Sequence, residues 1–389
     1  CSMKVLRTFF VIICVGVMCC GCQKTPDEVK QRIETYGDNE QIMSEEIKYC
    51  TVDELKEIKI ADITVKLDNM TLPDEVDFSN IDMIEELDMA FDDNYLESGK
   101  QFLEVFNINK STLVDEGETF TGKTVTYDSE KEKKYFTIED NGFMSFVSGI
   151  TYELVNSDLQ QSVEAKYDLD VDDISEENVQ FESGNVKLHQ IRTKAEDWLE
   201  RYLPASDFEY EVSDIYVRNF KDGDDEYNQI SLFAEIEYKG IPFNAYGIET
   251  GFDGTSGKVN LMTYGVNMNY EEEKLTYFSN GVGGLKINSS KKVDKIIDLE
   301  SAVKIVNEEI SGFNKLNISK IIPIYALYPQ YKSSDEQFSY EGQKVEGRPV
   351  YAFIINEGED DSVLGIYKSN SCKFIFVDMI TGEITTNIG

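Results

Sequence analysis

Ser301 and Lys304 have the spacing of a catalytic pair. On a helix, residues three apart lie on one face, so the lysine could activate the serine hydroxyl as a nucleophile. Enzymes that use this pair also carry Ser-Asp-Asn and Lys-Thr-Gly motifs, and the sequence contains neither. We interpret the pair as part of an exposed helix face, and we predict no catalytic residue and no enzymatic activity.

The single histidine, His189, and three acidic groups are the other candidates for chemistry. A histidine can act as a general base, but no Gly-x-Ser-x-Gly or other nucleophile motif accompanies His189. Carboxylates suit Ca²⁺, but the first group lacks the EF-hand glycine and has Val179 where that loop needs a glutamate. We favour solvated loops, and we expect no metal and no cofactor. The groups are Asp168/Asp170/Asp172/Asp173, Asp222/Asp224/Asp225/Glu226 and Glu357/Glu359/Asp360/Asp361.

The charge of the chain excludes one class of partner. Its 389 residues include 74 acidic and 37 basic side chains, and the formal net charge is −37. Nucleic-acid-binding proteins need a basic surface, so we expect no nucleic-acid partner and favour a basic protein or peptide. The length suffices for two or three domains of about 150 residues, and the 22 Tyr and 22 Phe residues supply core material.

The first residues have the features of an export signal. Lys4 and Arg7 precede an uncharged run, Thr8 to Met18, that is shorter than the about 20 residues of a membrane-spanning helix. The Gly21-Cys22 junction that follows resembles bacterial lipoprotein signals, in which a small residue precedes a cysteine that receives diacylglycerol. Cys19 departs from the usual leucine of that motif. The resemblance implies a signal peptide at residues 1–21 and lipidation of Cys22; the alternative is an uncleaved membrane anchor.

Lipidation of Cys22 would place the body outside the cytoplasm, at the face of a Gram-positive cell membrane. One acyl chain anchors only marginally, so we expect two or more. Loss of Lys4 and Arg7 with the signal would bring the net charge to −39, so an anionic membrane would repel the body. Cys50 and Cys372 are the cysteines outside the signal region; we favour two separate thiols over a disulfide.

Two local patterns stand out between residues 51 and 185. The stretch from Ser79 to Phe91 has apolar residues at positions 81, 84, 87 and 91, a spacing that predicts a helix. Residues 134–138 and 143–147 are apolar and β-branched runs that flank Asp140-Asn-Gly142. This arrangement predicts a β-hairpin around an Asn-Gly turn.

The second half contains an internal duplication. The pattern Gly-x-Pro-apolar-x-Ala-aromatic occurs at Gly240–Tyr246 and at Gly347–Phe353, an offset of 107 residues. The same offset aligns two stretches with helical apolar stripes, Ile191–Leu203 and Asp298–Ile310. An Asp-x-x-Ser/Thr-Gly turn closes each copy at Asp253 and Asp378, 125 residues apart. The second copy therefore holds an insertion, which we place at the acidic stretch around residues 357–361.

The last hundred residues, which form the second copy, resemble a known module. Leu299-Glu-Ser-Ala-Val-Lys-Ile-Val306, Arg348–Phe353 and Val377–Glu383 are similar to PepSY-like modules and to extracytoplasmic regulators of Gram-positive sensor kinases. With its lipoprotein start and Tyr135–Phe143, the whole chain resembles a clostridial lipoprotein family of unknown function. The resemblance implies binding or inhibition of peptidases, or regulation of neighbouring envelope proteins.

These observations together predict an α+β fold. Antiparallel sheets would each pack on a helix, with tandem helix-plus-sheet modules at residues 186–285 and 286–389. A tether with a helical start would occupy 22–50, and an N-terminal α+β region 51–185. The expected function is binding or regulation of another envelope protein or peptide by a membrane-anchored lipoprotein. The alternatives are capture of a peptide or glycan and, more remotely, hydrolysis; the oligomeric state stays open.

Overall fold

Strands and short helices are described for a little over half of the chain. The structure, a computed structural model, describes residues 22–23, 65–66, 81–89, 99–118, 123–140, 142–155, 160–169, 172–203, 208–222, 225–243, 265–280, 285–309, 316–318, 320–330, 344–356, 359–362, 365–368 and 373–386. None of the helices in these ranges has the length and apolar character that a bilayer crossing requires.

The described helices are four short α-helices and one 3₁₀ turn, Lys110–Thr112. The α-helices are α1 (Lys100–Val105), α2 (Gly149–Val155), α3 (Leu188–Tyr202) and α4 (Leu299–Glu309). The strands are β1 (Cys22–Gln23), β2 (Val65–Lys66), β3 (Asp82–Met89), β4 (Val114–Glu118), β5 (Lys123–Ser129), β6 (Lys134–Glu139), β7 (Met144–Ser148), β8 (Gln160–Asp168), β9 (Asn178–Phe181), β10 (Gly184–Lys187), β11 (Glu209–Asp222), β12 (Asp225–Tyr238), β13 (Ile241–Pro242), β14 (Val266–Glu271), β15 (Lys274–Ser279), β16 (Leu285–Lys292), β17 (Leu316–Asn317), β18 (Lys320–Gln330), β19 (Lys344–Asn356), β20 (Glu359–Ser362), β21 (Gly365–Lys368), β22 (Lys373–Asp378) and β23 (Ile384–Thr386).

The predicted α+β class is wrong, because the protein is a β-rich fold built on two large antiparallel sheets. The ten-stranded sheet has the order β4-β5-β6-β7-β15-β14-β12-β11-β8, and β13 pairs with β12. It thus joins strands from before and after residue 186 in one layer, so the small helix-on-sheet modules that we predicted do not form. The domain boundaries that we predicted, at residues 186–285 and 286–389, stay predictions.

One face of the ten-stranded sheet is the apolar core on which α3 packs. Leu188, Ile191, Ala195 and Leu199 recur every three or four residues along α3, and all four are buried against that face. The first predicted repeat helix is thereby confirmed. The side chains of β11 and β12 alternate between this core and the opposite face, because successive residues of a strand point in opposite directions.

The seven-stranded sheet has the order β1-β23-β22-β19-β3-β16, and β18 pairs with the other edge of β19. Leu299, Ala302, Val303 and Val306 of α4 are buried in the core on one face of this sheet. The second predicted repeat helix, Asp298–Ile310, is thereby confirmed as α4. The Asp253 turn of the first copy lies outside the described residues.

The helix predicted from Ser79 to Phe91 is wrong, because residues 82–89 form strand β3. This strand lies between β16 and β19, and Ile84 and Leu87 are fully buried. Residues three apart also share one face of a helix, so this spacing indicated a helix in the sequence. Here the hydrogen-bonding partners of the strand, supplied by distant parts of the chain, outweigh the local pattern.

Two predicted turns are confirmed. β6 and β7 pair as an antiparallel hairpin, and Gly142 has φ 85° in the turn that joins them. β22 and β23 also pair, and the Asp378 carboxylate accepts hydrogen bonds from the backbone N–H groups of Ile380 and Thr381 at 2.8 Å. Gly382 in the second turn has φ 69°, a conformation that favours glycine.

A buried carboxylate at the start of β3 connects elements of both sheets. Asp82 accepts hydrogen bonds from the Lys239 ammonium at 2.6 Å and from the hydroxyls of Ser290 at 3.1 Å and Tyr238 at 3.2 Å. Its backbone N–H donates to the Tyr325 hydroxyl at 3.3 Å. Tyr238 ends β12 of the ten-stranded sheet, whereas Ser290 and Tyr325 belong to strands of the seven-stranded sheet. We call these five residues the Asp82 cluster.

Candidate functional site

The face of the ten-stranded sheet opposite α3 is polar and yet buried. In the registers of β11, β12 and β14, alternate residues of these strands come together on this face. Every member is at most 5% exposed, whereas a polar sheet face ordinarily lies in water. We call this surface the amide face, because three of its polar side chains are carboxamides. Its residues are Tyr216, Arg218, Gln229, Ser231, Phe233, Asn267 and Asn269.

Helix α2 supplies a hydroxyl at one side of the amide face. The Gln229 amide donates to the Thr151 hydroxyl at 3.0 Å, and Thr151 in turn donates to the Thr276 hydroxyl at 2.8 Å. Thr276 donates to the backbone carbonyl of Asn269 at 3.3 Å. The chain of bonds fixes the Gln229 side chain, because all of these groups are buried and must find partners inside the protein.

Aromatic rings and cations lie beside the amides. The Arg218 guanidinium is 5.8 Å from the centre of the Tyr216 ring, and the Lys166 ammonium is 5.4 Å from the same centre. Arg218 is almost fully buried, and a buried guanidinium favours planar anionic or carbonyl partners. The amide face therefore combines hydrogen-bond donors and acceptors with flat apolar surface. Such a surface can recognise a polar ligand.

The insertion that we predicted in the second repeat forms a hairpin close to the ten-stranded sheet. β20 and β21 pair antiparallel, and they lie in sequence between β19 and β22 of the seven-stranded sheet. The hairpin does not join that sheet; its strand β21 lies close to β12 and β14 of the ten-stranded sheet. An extended segment therefore already runs beside the strands that carry the amide face.

The residues that suggested chemistry in the sequence do not come together. Lys304 forms an ion pair with Glu300 one turn away on α4, and the backbone N–H of Ser301 donates to the Asp298 carboxylate at 2.7 Å. This arrangement is a helix start and an exposed pair, as expected for an ordinary helix face. His189 lies in the first turn of α3, where its backbone carbonyl accepts the Thr193 hydroxyl.

The prediction of solvated loops fits Asp172 and Asp173, which lie between β8 and β9. The other described acidic residues belong to strands: Asp168 ends β8, Asp222 ends β11, Asp225 and Glu226 begin β12, and residues 359–361 lie in β20. Asp168 lies 3.2 Å from the Lys320 ammonium, and its backbone N–H donates to the Asp172 carboxylate. Asp173 accepts the Ser175 backbone N–H, and this bond lowers its pKa. In the second group, Glu226 pairs with Lys221 at 3.2 Å. Within the described residues, no three potential metal ligands gather in one place.

A buried carboxylic acid with a raised pKa stabilises a turn. Burial raises the pKa of Asp378, although the N–H groups of its own turn and the guanidinium of Arg348, 3.6 Å away, oppose the rise. Burial also raises the pKa of Tyr210 to about 12. Within the described residues, neither side chain forms a hydrogen bond or ion pair with a serine or cysteine. The absence of catalysis remains a prediction.

Trp198 is half-buried and packs against the apolar core of the ten-stranded sheet. Its ring centre lies 4.6 Å from that of Phe278, and the rings of Phe102, Phe106 and Tyr202 lie within 6.2 Å of it.

Cys22 lies on β1, which pairs with β23, and its side chain is not described. Cys50 and Cys372 lie outside the described residues, so their pairing stays open.

Comparison with known proteins gives a fold neighbour and no family. Neither the models of protein families nor the curated proteins gave a match. Among solved structures, the chain is similar to an uncharacterized protein from Eubacterium rectale ATCC 33656, with a TM-score of 0.53 and 12% sequence identity. The similarity covers 82% of this chain and 90% of that chain. At this identity the likeness shows the fold alone.

Proposed function

We propose that the protein is a lipid-anchored binding protein of the cell envelope, and that its amide face holds a peptide or an extended segment of another envelope protein. The observation that carries the proposal is the burial of Arg218 and three carboxamides on a sheet face beside aromatic rings. Carboxamides pair with both the N–H and the C=O groups of a peptide backbone.

The hairpin β20–β21 indicates the shape of the ligand. Because this hairpin runs beside β12 and β14, an extended backbone fits there, and we expect a bound segment to compete with it. A glycan is the second candidate, since rings such as Tyr216 and Phe233 next to amides also suit sugars. The acidic surface would speed the approach of basic partners, and salt would weaken that effect.

A photo-crosslinking amino acid at position 227 should test the binding site in the native cell. Tyr227 is half-buried on the same face of β12 as Gln229, so a ligand on the amide face would pass close to it. We expect crosslinks to one envelope protein or peptide that the same probe at exposed Glu182 does not give. Equal capture at both positions, or no capture at 227, would contradict the proposal. A glycan bound there would instead appear as a carbohydrate-modified peptide.

The double variant Gln229→Ala, Asn267→Ala should weaken binding of the captured partner by tenfold or more. Each buried amide bond is worth about 1 kcal/mol, and about 1.4 kcal/mol corresponds to a factor of ten in Kd. Titration of the purified partner against the wild-type and variant chains measures the change, with circular dichroism as the control for folding. An unchanged Kd in a folded variant would move the site elsewhere.

Lipidation of Cys22 is the part of the proposal with the simplest test. Replacing Cys22 with alanine should shift the protein from the membrane fraction to the soluble fraction, because the acyl chains supply the anchoring free energy. Cys19→Ala is the matched control and should leave the protein in the membrane. Mass spectrometry of the N-terminal peptide checks the modification directly. Membrane retention of the Cys22→Ala variant would favour the uncleaved anchor.

A further inference from the structure

Two exposed edge strands of the protein carry opposite charges. β4 is an end strand of the ten-stranded sheet, and Val114, Asp115 and Glu116 on it are exposed. Val114 is 56% exposed. β16 is an end strand of the seven-stranded sheet, and it is basic. Its lysines are Lys286, Lys291 and Lys292, all exposed.

Within the described residues the β16 lysines make no ion pair, although Asp88 and Asp82 of β3 lie opposite Lys286 and Lys292 in the strand register. Asp115 accepts the backbone N–H of Gly117, and Glu116 accepts the Thr126 hydroxyl, and neither carboxylate forms an ion pair among the described residues. In a protein of net charge −37, a strand with three lysines free of ion pairs is a distinct basic strip.

An exposed edge strand offers unpaired backbone groups, and charged side chains normally protect it from other edges. Here the protection is selective, because the two edges differ in sign. Two β4 strands repel each other, and so do two β16 strands, whereas β4 of one molecule and β16 of another attract. The charges therefore exclude two pairings and permit the third, which is how specificity by repulsion works.

We propose that β4 of one molecule pairs with β16 of a second copy of this chain. The contact is heterologous, because one copy contributes β4 and the other contributes β16. Repeated contacts of this kind would link molecules head to tail on the membrane surface. β4 has only five residues, and both strands contain bulges toward their inner neighbours, Asp115/Gly117 in β4 and Ile287/Ser289 in β16. The association is therefore weak in solution and gains from the high local concentration of anchored copies.

Charge reversal of one edge at a time tests the contact. Variant X carries Lys291→Glu and Lys292→Glu, and variant Y carries Asp115→Lys and Glu116→Lys. Sedimentation velocity of the full chain in mild detergent should show that wild type associates with rising concentration. X alone and Y alone should associate at least about tenfold more weakly, because each now has two edges of one sign.

Mixing X with Y should restore association, because the acidic β16 of X complements the basic β4 of Y, and the reverse edges also match. This rescue separates edge pairing from simple misfolding. Lys100→Glu with Lys187→Glu is the matched control for X, since both lysines are exposed and the charge change is the same. A monomeric wild type, association that X and Y leave intact, or an X and Y mixture that stays monomeric would each overturn the proposal.

Discussion

Replacing Phe278 with alanine should destabilise the ten-stranded sheet by about 3–5 kcal/mol, the usual cost of emptying a fully buried aromatic site. Phe278 is fully buried on β15, and its ring centre lies 4.6 Å from that of Trp198 and 6.3 Å from that of Phe102. Phe102 and Trp198 belong to α1 and α3, so the ring fills the space where both helices meet the sheet. Denaturant unfolding of the full chain measures the loss.

The fluorescence of Trp198 gives a second measurement of the Phe278→Ala substitution. It is the single tryptophan of the chain, so its emission reports on the cluster around Phe278 alone. In the Phe278→Ala variant we expect emission at longer wavelength before unfolding, because the cavity exposes the indole to a more polar environment. Phe278→Leu is the control and should cost less than about 1.5 kcal/mol. A loss below about 1 kcal/mol for alanine would show that the cluster is not tightly packed.

Features that depend on nearby residues could be predicted from the sequence. The turn at Gly142 needs a residue that tolerates positive φ, and the Asp378 turn needs a side chain that accepts nearby N–H groups; both motifs are read within a few residues. The helices α3 and α4 were predictable because each buries one stripe, and a stripe repeats every three to four residues. Their places in the sequence were correct to within a few residues.

The assembly of the sheets could not be predicted in this way. β3 has Ile84 and Leu87 three residues apart, and nothing in that stretch reveals that β16, far along the chain, will be its neighbour. The same limit explains the wrong fold class. The strands that complete the ten-stranded sheet come from both sides of residue 186, so a reading in consecutive modules assigned them to separate units.

The amide face was missed for a related reason. Gln229, Ser231, Asn267 and Asn269 alternate with apolar residues, which is the pattern of a strand with one face in water. Burial of that face depends on what packs over it, and the sequence gives no direct signal for this. A usable signal was the choice of side chains: amides, a serine and Arg218 stand where an acidic protein would otherwise place carboxylates.

Replacing Asp82 with asparagine should destabilise the protein by about 2–3 kcal/mol at pH 7, the range for a buried hydrogen-bonded charge. The Asp82 carboxylate accepts hydrogen bonds from Lys239, Ser290 and Tyr238, and its side chain is 10% exposed. Asparagine keeps the shape but loses the charge and turns one acceptor into a donor that faces other donors. Because the Asp82 cluster connects the two sheets, the loss should appear in every probe of folding.

Glu85→Gln on the same strand is the matched control. Glu85 is exposed, and its substitution removes the same single negative charge as Asp82→Asn. We expect it to change the free energy of unfolding by less than about 0.5 kcal/mol. In a chain of net charge −37, removal of one carboxylate also relieves some repulsion. A stable Asp82→Asn variant would therefore mean that relief of repulsion outweighs the hydrogen bonds of the cluster, and that the carboxylate does not hold the sheets together.

The pH dependence gives the Asp82 cluster a second, independent signature. Burial alone would raise the pKa of Asp82, but the hydrogen bond and positive charge of Lys239, with the hydroxyls of Ser290 and Tyr238, hold the pKa below its ordinary value of 3.8. A carboxyl whose pKa is lower in the folded state stabilises the protein above the unfolded pKa, and this stability is lost as the pH falls through the folded pKa. The difference in stability between wild type and Asp82→Asn should therefore be full at neutral pH and shrink below about pH 3.8. A difference that stays constant down to pH 2 would show that asparagine acts through shape alone, since the titration of Asp82 could not then account for it.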